Sequence, residues 1–337
     1  MGKKCALLMG LNYNNIRGSE LYGCINDMNL TRNMLIDAYG YQEENMYIFR
    51  DDFDNDKRFP TKKNITSTLI SLLSTLNEED ELWVHYSGHG AYFDDYGINE
   101  TDNRDEYLLV YDNNNRGRLV VLIDDEFNAI LKNSKCKIIM VIDACNTGTI
   151  GDLPWNFKYD VDISRNNKLV KRSMENDIPM SNSNITIYSS ARDDELAADA
   201  YNPIMQLPMG ALTMAILYCL RRSNHNISCM KLYTDICEFI VESGFEQRPQ
   251  LTTSVKMPSV YISKNENDIQ FIENDIIVEE IVESNVERST IIIQDSISDT
   301  KRNYSSTVST SSNTPPVHNN NNKNSNINNR FKMKFFI

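Results

Sequence analysis

The chain has 337 residues and a formal net charge of -13 at pH 7. Its length supplies ample material for a core, while its acidic balance argues against a nucleic-acid binder, which needs a basic face. Its seven cysteines lack the spacing of a disulfide scaffold and favour a reducing compartment, the cytoplasm. No apolar run reaches the roughly 18 residues of a membrane-spanning helix, so no membrane association is expected. Met1 to Lys4 lead straight into a strand, so we expect no signal peptide.

The first ninety residues predict three strands separated by two helices. Apolar residues recur at a helical period between Leu21 and Tyr39, and Gly40 stands where a C-cap is expected. Thr61 is a candidate N-cap for the second helix. This β-α-β-α-β order is typical of a parallel sheet with helices on its faces. We expect strands within residues 4–13, 46–49 and 81–90, and helices at 21–39 and 61–76.

The rest of the chain continues the α/β pattern and then loses it. A polar loop at 91–118 contains a short strand, and Asp124 is a candidate cap for the helix after the next strand. Residues 153–184 show little periodicity and predict a linker or mobile loop. The Ser-, Thr- and Asn-rich composition from Ser296 to Arg330 predicts disorder. Further strands are expected at 106–112, 119–123, 138–142, 185–189, 250–255 and 260–263, and helices at 124–131, 209–221 and 229–243.

Two of the predicted strands end in small polar turns that carry reactive side chains. The turn in I-I-M-V-I-D-A-C-N-T-G, at 138–148, carries Cys145, and the turn in E-L-W-V-H-Y-S-G-H-G, at 81–90, carries His89. Because ligands bind at the carboxyl ends of strands in open α/β sheets, we interpret these residues as a nucleophile and its base. The alternative for each residue alone is structural, since a lone cysteine ending a strand is usually a buried small residue. His85, inside its strand, is interpreted as a core residue.

These motifs resemble those of the caspase-type cysteine peptidases, and within them the metacaspases. The resemblance spans about residues 4–263 and implies a chain without an N-terminal prodomain. It predicts one caspase-like domain at 1–264, a three-layer α/β sandwich with a mostly parallel central sheet, followed by a tail at 265–337. Its large-subunit-like part covers 1–157 and its small-subunit-like part 185–264. Five stretches carry the resemblance: L-Y-G-C-I-N-D-M-N at 21–29, H-Y-S-G-H-G at 85–90, V-I-D-A-C-N-T-G at 141–148, S-S-A-R-D-D-E-L-A-A-D-A at 189–200 and G-A-L-T at 210–213.

The resemblance implies a calcium-dependent cysteine endopeptidase that cleaves protein or peptide substrates after Arg or Lys. Cys145 matches the nucleophile and His89 the general base. Two carboxylates in one partly desolvated pocket favour a cationic side chain and reject Asp by like charge. The positions matching the pocket for the substrate side chain before the cut are Cys24, Asp27, Ser87 and Asp143, none of which is basic.

A second group of acidic residues matches the calcium-site positions of the metacaspases. Hard oxygen ligands from several segments suit Ca²⁺, and these carboxylates repel one another without a cation. The alternative is a set of solvated loop acids, one of them a helix N-cap. We expect Ca²⁺ to order the loops around the dyad. The matching residues are Asp105, Asp124, Asp125 and Asp152.

The sequence departs from the family pattern beside the nucleophile and before Asp105, and it contains a basic linker that raises the question of self-cleavage. Asn146 and Thr147 stand where the family usually has His and Ser, so they are expected to tune rate or specificity. The loop before Asp105 also differs from the family's acidic loop. An enzyme that cuts after basic residues is expected to cut itself within 158–184, unless this stretch is only a solvated basic loop. The basic residues considered there are Arg165, Lys168, Lys171 and Arg172.

Two rival functions remain open at this stage. The first is a catalytically weak or inactive caspase-like scaffold that acts through protein interactions. The second and weaker rival is a peptidase that prefers Asp before the cut. The resemblance also implies a monomer, since metacaspases do not usually pair as caspases do.

Overall fold

The computed structural model describes residues 2–53, 55–94, 104–160, 168–174, 180–191, 197, 199–202, 205–264 and 276–280. Its helices are α1 (Cys24–Tyr39), α2 (Lys62–Thr75), α3 (Asp124–Leu131), α4 (Ala211–Arg222) and α5 (Cys229–Glu242), with a 3-10 turn at Glu43–Asn45. The strands are β1 (Lys4–Gly10), β2 (Met46–Arg50), β3 (Glu81–Ser87), β4 (Gly90–Asp94), β5 (Arg104–Tyr111), β6 (Leu119–Ile123), β7 (Lys137–Asp143), β8 (Trp155–Asp160), β9 (Lys168–Met174), β10 (Ile185–Ser189), β11 (Asp199–Asn202), β12 (Leu207–Gly210), β13 (Asn226–Ser228), β14 (Gln250–Thr253), β15 (Tyr261–Ser263) and β16 (Ile276–Glu280).

A nine-stranded sheet forms the centre of the fold, in the order β16-β9-β8-β14-β10-β7-β3-β1-β2. The five strands from β10 to β2 pair in parallel. β14, β8 and β9 extend the sheet by antiparallel pairing, and β16 pairs in parallel with β9. The predicted α/β class with a mostly parallel central sheet is therefore confirmed.

Helices cover both faces of this sheet because its strands are apolar on both sides. Val84 of β3 lies in one core cluster with Ile65 and Leu69 of α2. His85, the next residue of β3, points to the opposite face, where its Nδ1 lies 3.5 Å from the hydroxyl of Thr31 in α1. His85 is buried, as predicted for a core residue, and this burial lowers its pKa to about 3. The result is the expected three-layer arrangement.

The register of two neighbouring strands brings the two reactive motifs to one edge of the sheet. β3 and β7 run parallel and adjacent, with Ser87 opposite Asp143. Because both strands end at this pair, the turns that carry His89 and Cys145 leave the sheet side by side. This is the position where open α/β sheets bind ligands.

Two local expectations are wrong. The linker expected at 153–184 contains β8 and β9. β8 alternates aromatic and polar residues, a strand pattern that the expectation of a linker overlooked, whereas β9 mixes basic and apolar residues without alternation. Asp124 is the first residue of α3 rather than its cap, a position held by Ile123, whose N–H donates to the Glu126 carboxylate at 3.2 Å. Thr61, in contrast, caps α2 as predicted by accepting a hydrogen bond from the Asn64 N–H at 3.2 Å.

The expected tail, residues 265–337, contains one strand of the central sheet. β16 lies within the expected tail and pairs with β9. Residues 281–337, which include the stretch expected to be disordered, lie outside the described residues. Within the described part of the chain, no helix has both the length and the apolar character needed to cross a membrane.

Candidate active site

The turns after β3 and β7 are in direct contact. The Gly88 N–H donates to the Asp143 carbonyl at 3.2 Å. A Cβ on Gly90 would collide with the carbonyl oxygen of Cys145 and with the Thr147 side chain. A glycine after His89 is therefore needed for the two turns to approach, and the backbones of His89 and Cys145 become close neighbours.

Cys145 presents a half-buried thiol. Burial raises its pKa, the Ala197 N–H lowers it by donating to Sγ at 3.2 Å, and the Asp143 carboxylate raises it further. The net direction is upward, so the thiol is mostly protonated at neutral pH. A base is required to generate the thiolate.

The two residues after the nucleophile shape its turn. Asn146 has a left-handed backbone with φ of 48°, a conformation that Asn tolerates better than most residues. Thr147 is buried, and its hydroxyl donates to the Ala144 carbonyl at 3.1 Å. The backbone of Asn146 and the hydroxyl of Thr147 thus stabilise the turn that presents Cys145. The effect of these two residues on the reaction rate stays a prediction.

His89 is half-buried, and a backbone carbonyl orients its ring. Nε2 lies 2.8 Å from the carbonyl oxygen of Ser19. A carbonyl can only accept, so Nε2 carries the proton in this contact, and Nδ1 is left as the basic nitrogen of the neutral ring. The same contact stabilises the imidazolium that forms when His89 takes a proton. The sequence carries no signal for this partner, because any residue supplies a carbonyl.

Asp27, one of the predicted pocket residues, is fully buried on α1 beside the end of β3. It accepts a hydrogen bond from the Ser87 hydroxyl at 2.7 Å, and both its carboxylate oxygens lie 3.0 Å from the Gly210 nitrogen. Cys24, three residues earlier on α1, is also buried. Three of the four predicted pocket positions thus lie at the joint between α1 and the end of β3.

Asp143 reaches the same pocket from β7. Its Oδ2 accepts from the backbone N–H and the hydroxyl of Thr213, each at 2.8 Å, in the first turn of α4. A Cβ on Gly210 would collide with this carboxylate. Gly210 therefore touches both Asp27 and Asp143, and the structure brings the two predicted pocket carboxylates together. Gly210 and Thr213 had been identified only as part of the family resemblance, without a role.

The predicted calcium ligands lie on β5, α3 and the loop after Cys145. Asp124 is fully buried and accepts from the backbone N–H groups of Glu106 and Asp125, at 2.7 and 2.8 Å. Burial raises the pKa of Asp124 to about 6, hydrogen bonds from Glu106 and Asp125 lower it, and the nearby Asp105 raises it. A desolvated carboxylate beside another is the setting in which a cation binds favourably.

Asp152, the fourth predicted calcium ligand, lies in the loop after Cys145 and contacts α3 through its backbone. It is half-buried with a left-handed φ of 46°, and its carbonyl accepts from the Asn128 side chain of α3 at 3.0 Å. Across the described residues, no three acidic, His or Cys side chains lie close enough to form a finished metal site. The oxygen chemistry fits Ca²⁺, while the complete ligand set stays a prediction.

Residues 3–154 match the family model described as "Metacaspase, peptidase C14 domain". Metacaspase-1 of Eremothecium gossypii is 40% identical over 159 residues, which is 46% of this chain and 34% of that protein. Metacaspase-3 of Arabidopsis thaliana is 38% identical over 157 residues, covering 46% and 42% of the two chains. The chain thus spans less than half the length of these relatives.

A longer match of lower identity reaches past the family model. Metacaspase-1A of Aspergillus oryzae is 28% identical over 293 residues, covering 75% of this chain and 68% of that protein. Among solved structures, protein GSU0716 from Geobacter sulfurreducens aligns with a TM-score of 0.51 at 19% identity, covering 76% of this chain and 94% of that one. That likeness concerns the fold alone.

Proposed function

Because residues 3–154 belong to the metacaspase peptidase family, we propose that this chain is a cysteine endopeptidase that cleaves after Arg or Lys. The observation that supports this most directly is the contact between the turns of His89 and Cys145, beside a pocket with two buried carboxylates. Proteins and peptides are the proposed substrates.

In the proposed reaction His89 passes protons between the Cys145 thiol, the leaving amine and water. Nδ1 of His89 takes the Cys145 proton, and the thiolate attacks the carbonyl carbon before the scissile bond. The resulting imidazolium, held by the Ser19 carbonyl, then protonates the leaving amine as the C–N bond breaks. Water, deprotonated by His89, hydrolyses the acyl-enzyme and returns the thiol.

The proposed preference for Arg or Lys rests on charge in the pocket. Asp27 and Asp143 meet at Gly210, where they accept hydrogen bonds from a serine hydroxyl, a threonine hydroxyl and backbone N–H groups. A guanidinium or ammonium between two desolvated carboxylates gains charge-assisted hydrogen bonds, whereas a substrate Asp is repelled.

Calcium is the proposed regulatory ion. Asp105, Asp124, Asp125 and Asp152 would hold it, and it would neutralise the charge that makes the burial of Asp124 costly. The loop that carries Asp152 begins directly after the Cys145 turn, so ordering of this loop is the proposed route to activity. Bound Ca²⁺ supplies charge neutralisation and loop order, with no direct part in the bond cleavage.

Self-cleavage is proposed within residues 158–184. Lys171 and Arg172 lie in β9 between β8 and β16, and Arg172 is buried. Because a protease binds its substrate as an unpaired extended segment, these two positions are disfavoured. Arg165 and the side chain of Lys168 lie outside the described residues.

We further propose a monomer in the cytoplasm that acts without nucleic acid or membrane. All seven cysteines are free, in keeping with a reducing compartment. β14 is paired on one side with β10 and on the other with β8, so it offers no open edge for another copy. Size-exclusion chromatography with light scattering tests the monomer.

The activity is tested with Arg-, Lys- and Asp-terminated fluorogenic peptides, with and without Ca²⁺, on the intact chain and on Cys145→Ala. We expect Ca²⁺-stimulated turnover of the basic peptides that Cys145→Ala abolishes. Absence of any Cys145-dependent turnover would support the scaffold alternative, and preference for the Asp peptide would support the other rival. Turnover in excess chelator would exclude the calcium requirement.

A further inference from the structure

The residue that packs against the His89 ring is itself held by a buried carboxylate on another strand end. Tyr13 follows β1 and is fully buried, with a left-handed φ of 55° that an aromatic residue rarely adopts. The carboxylate of Asp51, just after β2, accepts from the backbone N–H groups of Asn12 at 3.0 Å and Tyr13 at 2.5 Å, and from the Tyr111 hydroxyl at 2.9 Å. Asp51 thus fixes the backbone that presents the Tyr13 side chain.

Tyr13 contacts His89 in two ways. The two ring centroids are 4.7 Å apart with an interplanar angle of 33°. The Tyr13 hydroxyl accepts from the His89 backbone N–H at 2.9 Å. It has one proton of its own, which it can donate to the Leu109 carbonyl at 2.8 Å or to the Tyr86 hydroxyl at 2.9 Å. One side chain therefore holds both the backbone and the ring of His89.

Tyr86 forms a hydrogen bond with the backbone carbonyl of His89. Its hydroxyl lies 2.8 Å from the His89 carbonyl, which also accepts from the Leu109 N–H at 3.0 Å. A Cβ on Gly88 would lie 2.6 Å from the Tyr13 hydroxyl and 2.7 Å from that of Tyr86. The two hydroxyls thus fill the space that only a glycine leaves open before His89.

We propose that Tyr13 and Asp51 are positioning residues that set the orientation of His89 toward Cys145. The proposal rests on the peptidase function proposed above. It assigns to a carboxylate outside the dyad a role in catalysis that acts through Tyr13. A misplacement of about 1 Å in a catalytic group can cost on the order of 100-fold in rate, so a held ring is a substantial advantage.

The test compares Tyr13→Phe and Asp51→Asn with a matched control, Tyr41→Phe. Tyr41 is buried like Tyr13, and its hydroxyl is also hydrogen-bonded, donating to the Glu81 carboxylate at 2.5 Å at the far end of β3. For both test variants we expect kcat on an Arg-terminated peptide to fall about 10-fold or more with KM within about twofold, because orientation and not substrate binding is lost. The control is expected to keep the kcat of the parent chain.

A second measurement separates this proposal from the peptidase function. The rate of Cys145 alkylation by iodoacetamide needs no peptide substrate, and is expected to fall in Tyr13→Phe and Asp51→Asn because His89 no longer meets the thiol correctly. Cys145→Ala sets the background labelling. Parent-like kcat and alkylation rates in both folded variants would overturn the proposal. A chain that turns over no peptide would end the proposed function, while the alkylation rates would still decide the positioning role. If either variant fails to fold, by circular dichroism, the other decides alone.

Discussion

The backbone nitrogen of Gly210 lies 3.0 Å from both carboxylate oxygens of Asp27. The same glycine leaves no room for a side chain on its other flank, where Asp143 lies. One residue at the start of α4 thus separates and supports the two acids of the proposed specificity pocket.

Gly210→Ala is expected to damage this pocket selectively. The added methyl group collides with the Asp143 carboxylate, which Thr213 holds in place, so the carboxylate must move. We expect kcat/KM on an Arg-terminated peptide to fall about 10-fold or more, since an incorrectly placed ion pair loses most of its interaction. Gly117→Ala, in an exposed loop, is the control and is expected to behave like the parent chain. An unaltered kcat/KM would show that Asp143 does not define the pocket.

Asp143→Asn is expected to have opposite effects on two properties of the enzyme. Turnover of an Arg-terminated peptide should fall by roughly 100-fold, because one charge of the pocket is lost. Burial is the main cause of the raised pKa of Cys145, but Asp143 adds to it, so removal of this charge lowers the thiol pKa.

The thiolate fraction at neutral pH then rises, and alkylation of Cys145 by iodoacetamide should become faster in Asp143→Asn. Labelling of the parent chain and of Cys145→Ala gives the two reference rates. Slower alkylation would contradict this prediction. It would mean that Asp143 helps to hold the Cys145 thiol in place, and that this effect outweighs the rise in thiol pKa caused by its charge.

Asp124→Asn and Asp152→Asn are expected to weaken calcium binding, each by about 10-fold or more, because each removes a ligand charge. Calorimetric titration of the Cys145→Ala chain with CaCl₂ measures this without any turnover. Asp37→Asn, on the exposed side of α1, serves as the control. Equal affinities in all four chains would place the ion elsewhere.

His85 is expected to make the fold sensitive to acid. Its pKa is about 3 in the fold, because burial disfavours the charged ring, whereas the pKa of an exposed histidine is about 6.5. Between these values the unfolded chain binds one more proton than the folded chain. Stability therefore falls as pH falls from 6.5 toward 3, by about 1.4 kcal/mol per pH unit.

Urea denaturation of the parent chain and of His85→Gln between pH 7 and pH 5 checks this prediction. The variant is expected to be less stable at pH 7 and to lose less stability than the parent on acidification. Parallel losses in the two chains would show that His85 can acquire its proton without unfolding.

The sequence was most informative where chemistry and secondary structure coincide. The strands that end at Ser87 and Asp143 are apolar runs followed by short polar turns, so their ends and the proximity of the turns that carry His89 and Cys145 could be predicted. β8 was missed although its sequence W-N-F-K-Y-D alternates aromatic and polar residues, which is a strand pattern. β9, K-L-V-K-R-S-M, shows no such alternation. The contacts that Ser19 and Ala197 make through backbone atoms leave no trace in residue type.

The positions of the two proposed pocket carboxylates, Asp27 and Asp143, were also only partly predictable from the sequence. Asp27 and Asp143 were identified by resemblance, yet their meeting at Gly210 depends on how α4 packs against α1 and β7. That contact joins residues 183 positions apart in the chain. Composition and periodicity carry no information at such a separation.

The left-handed backbone of Asn146 restricts which mutations the residue after the nucleophile can accept. With φ of 48°, Gly is compatible with this position, whereas β-branched Val, Ile and Thr are strained there. The backbone conformation alone therefore limits position 146 to a few residue types, whatever its side chain contributes to rate. A saturation library at position 146, sorted for Cys145 labelling, should recover that short list.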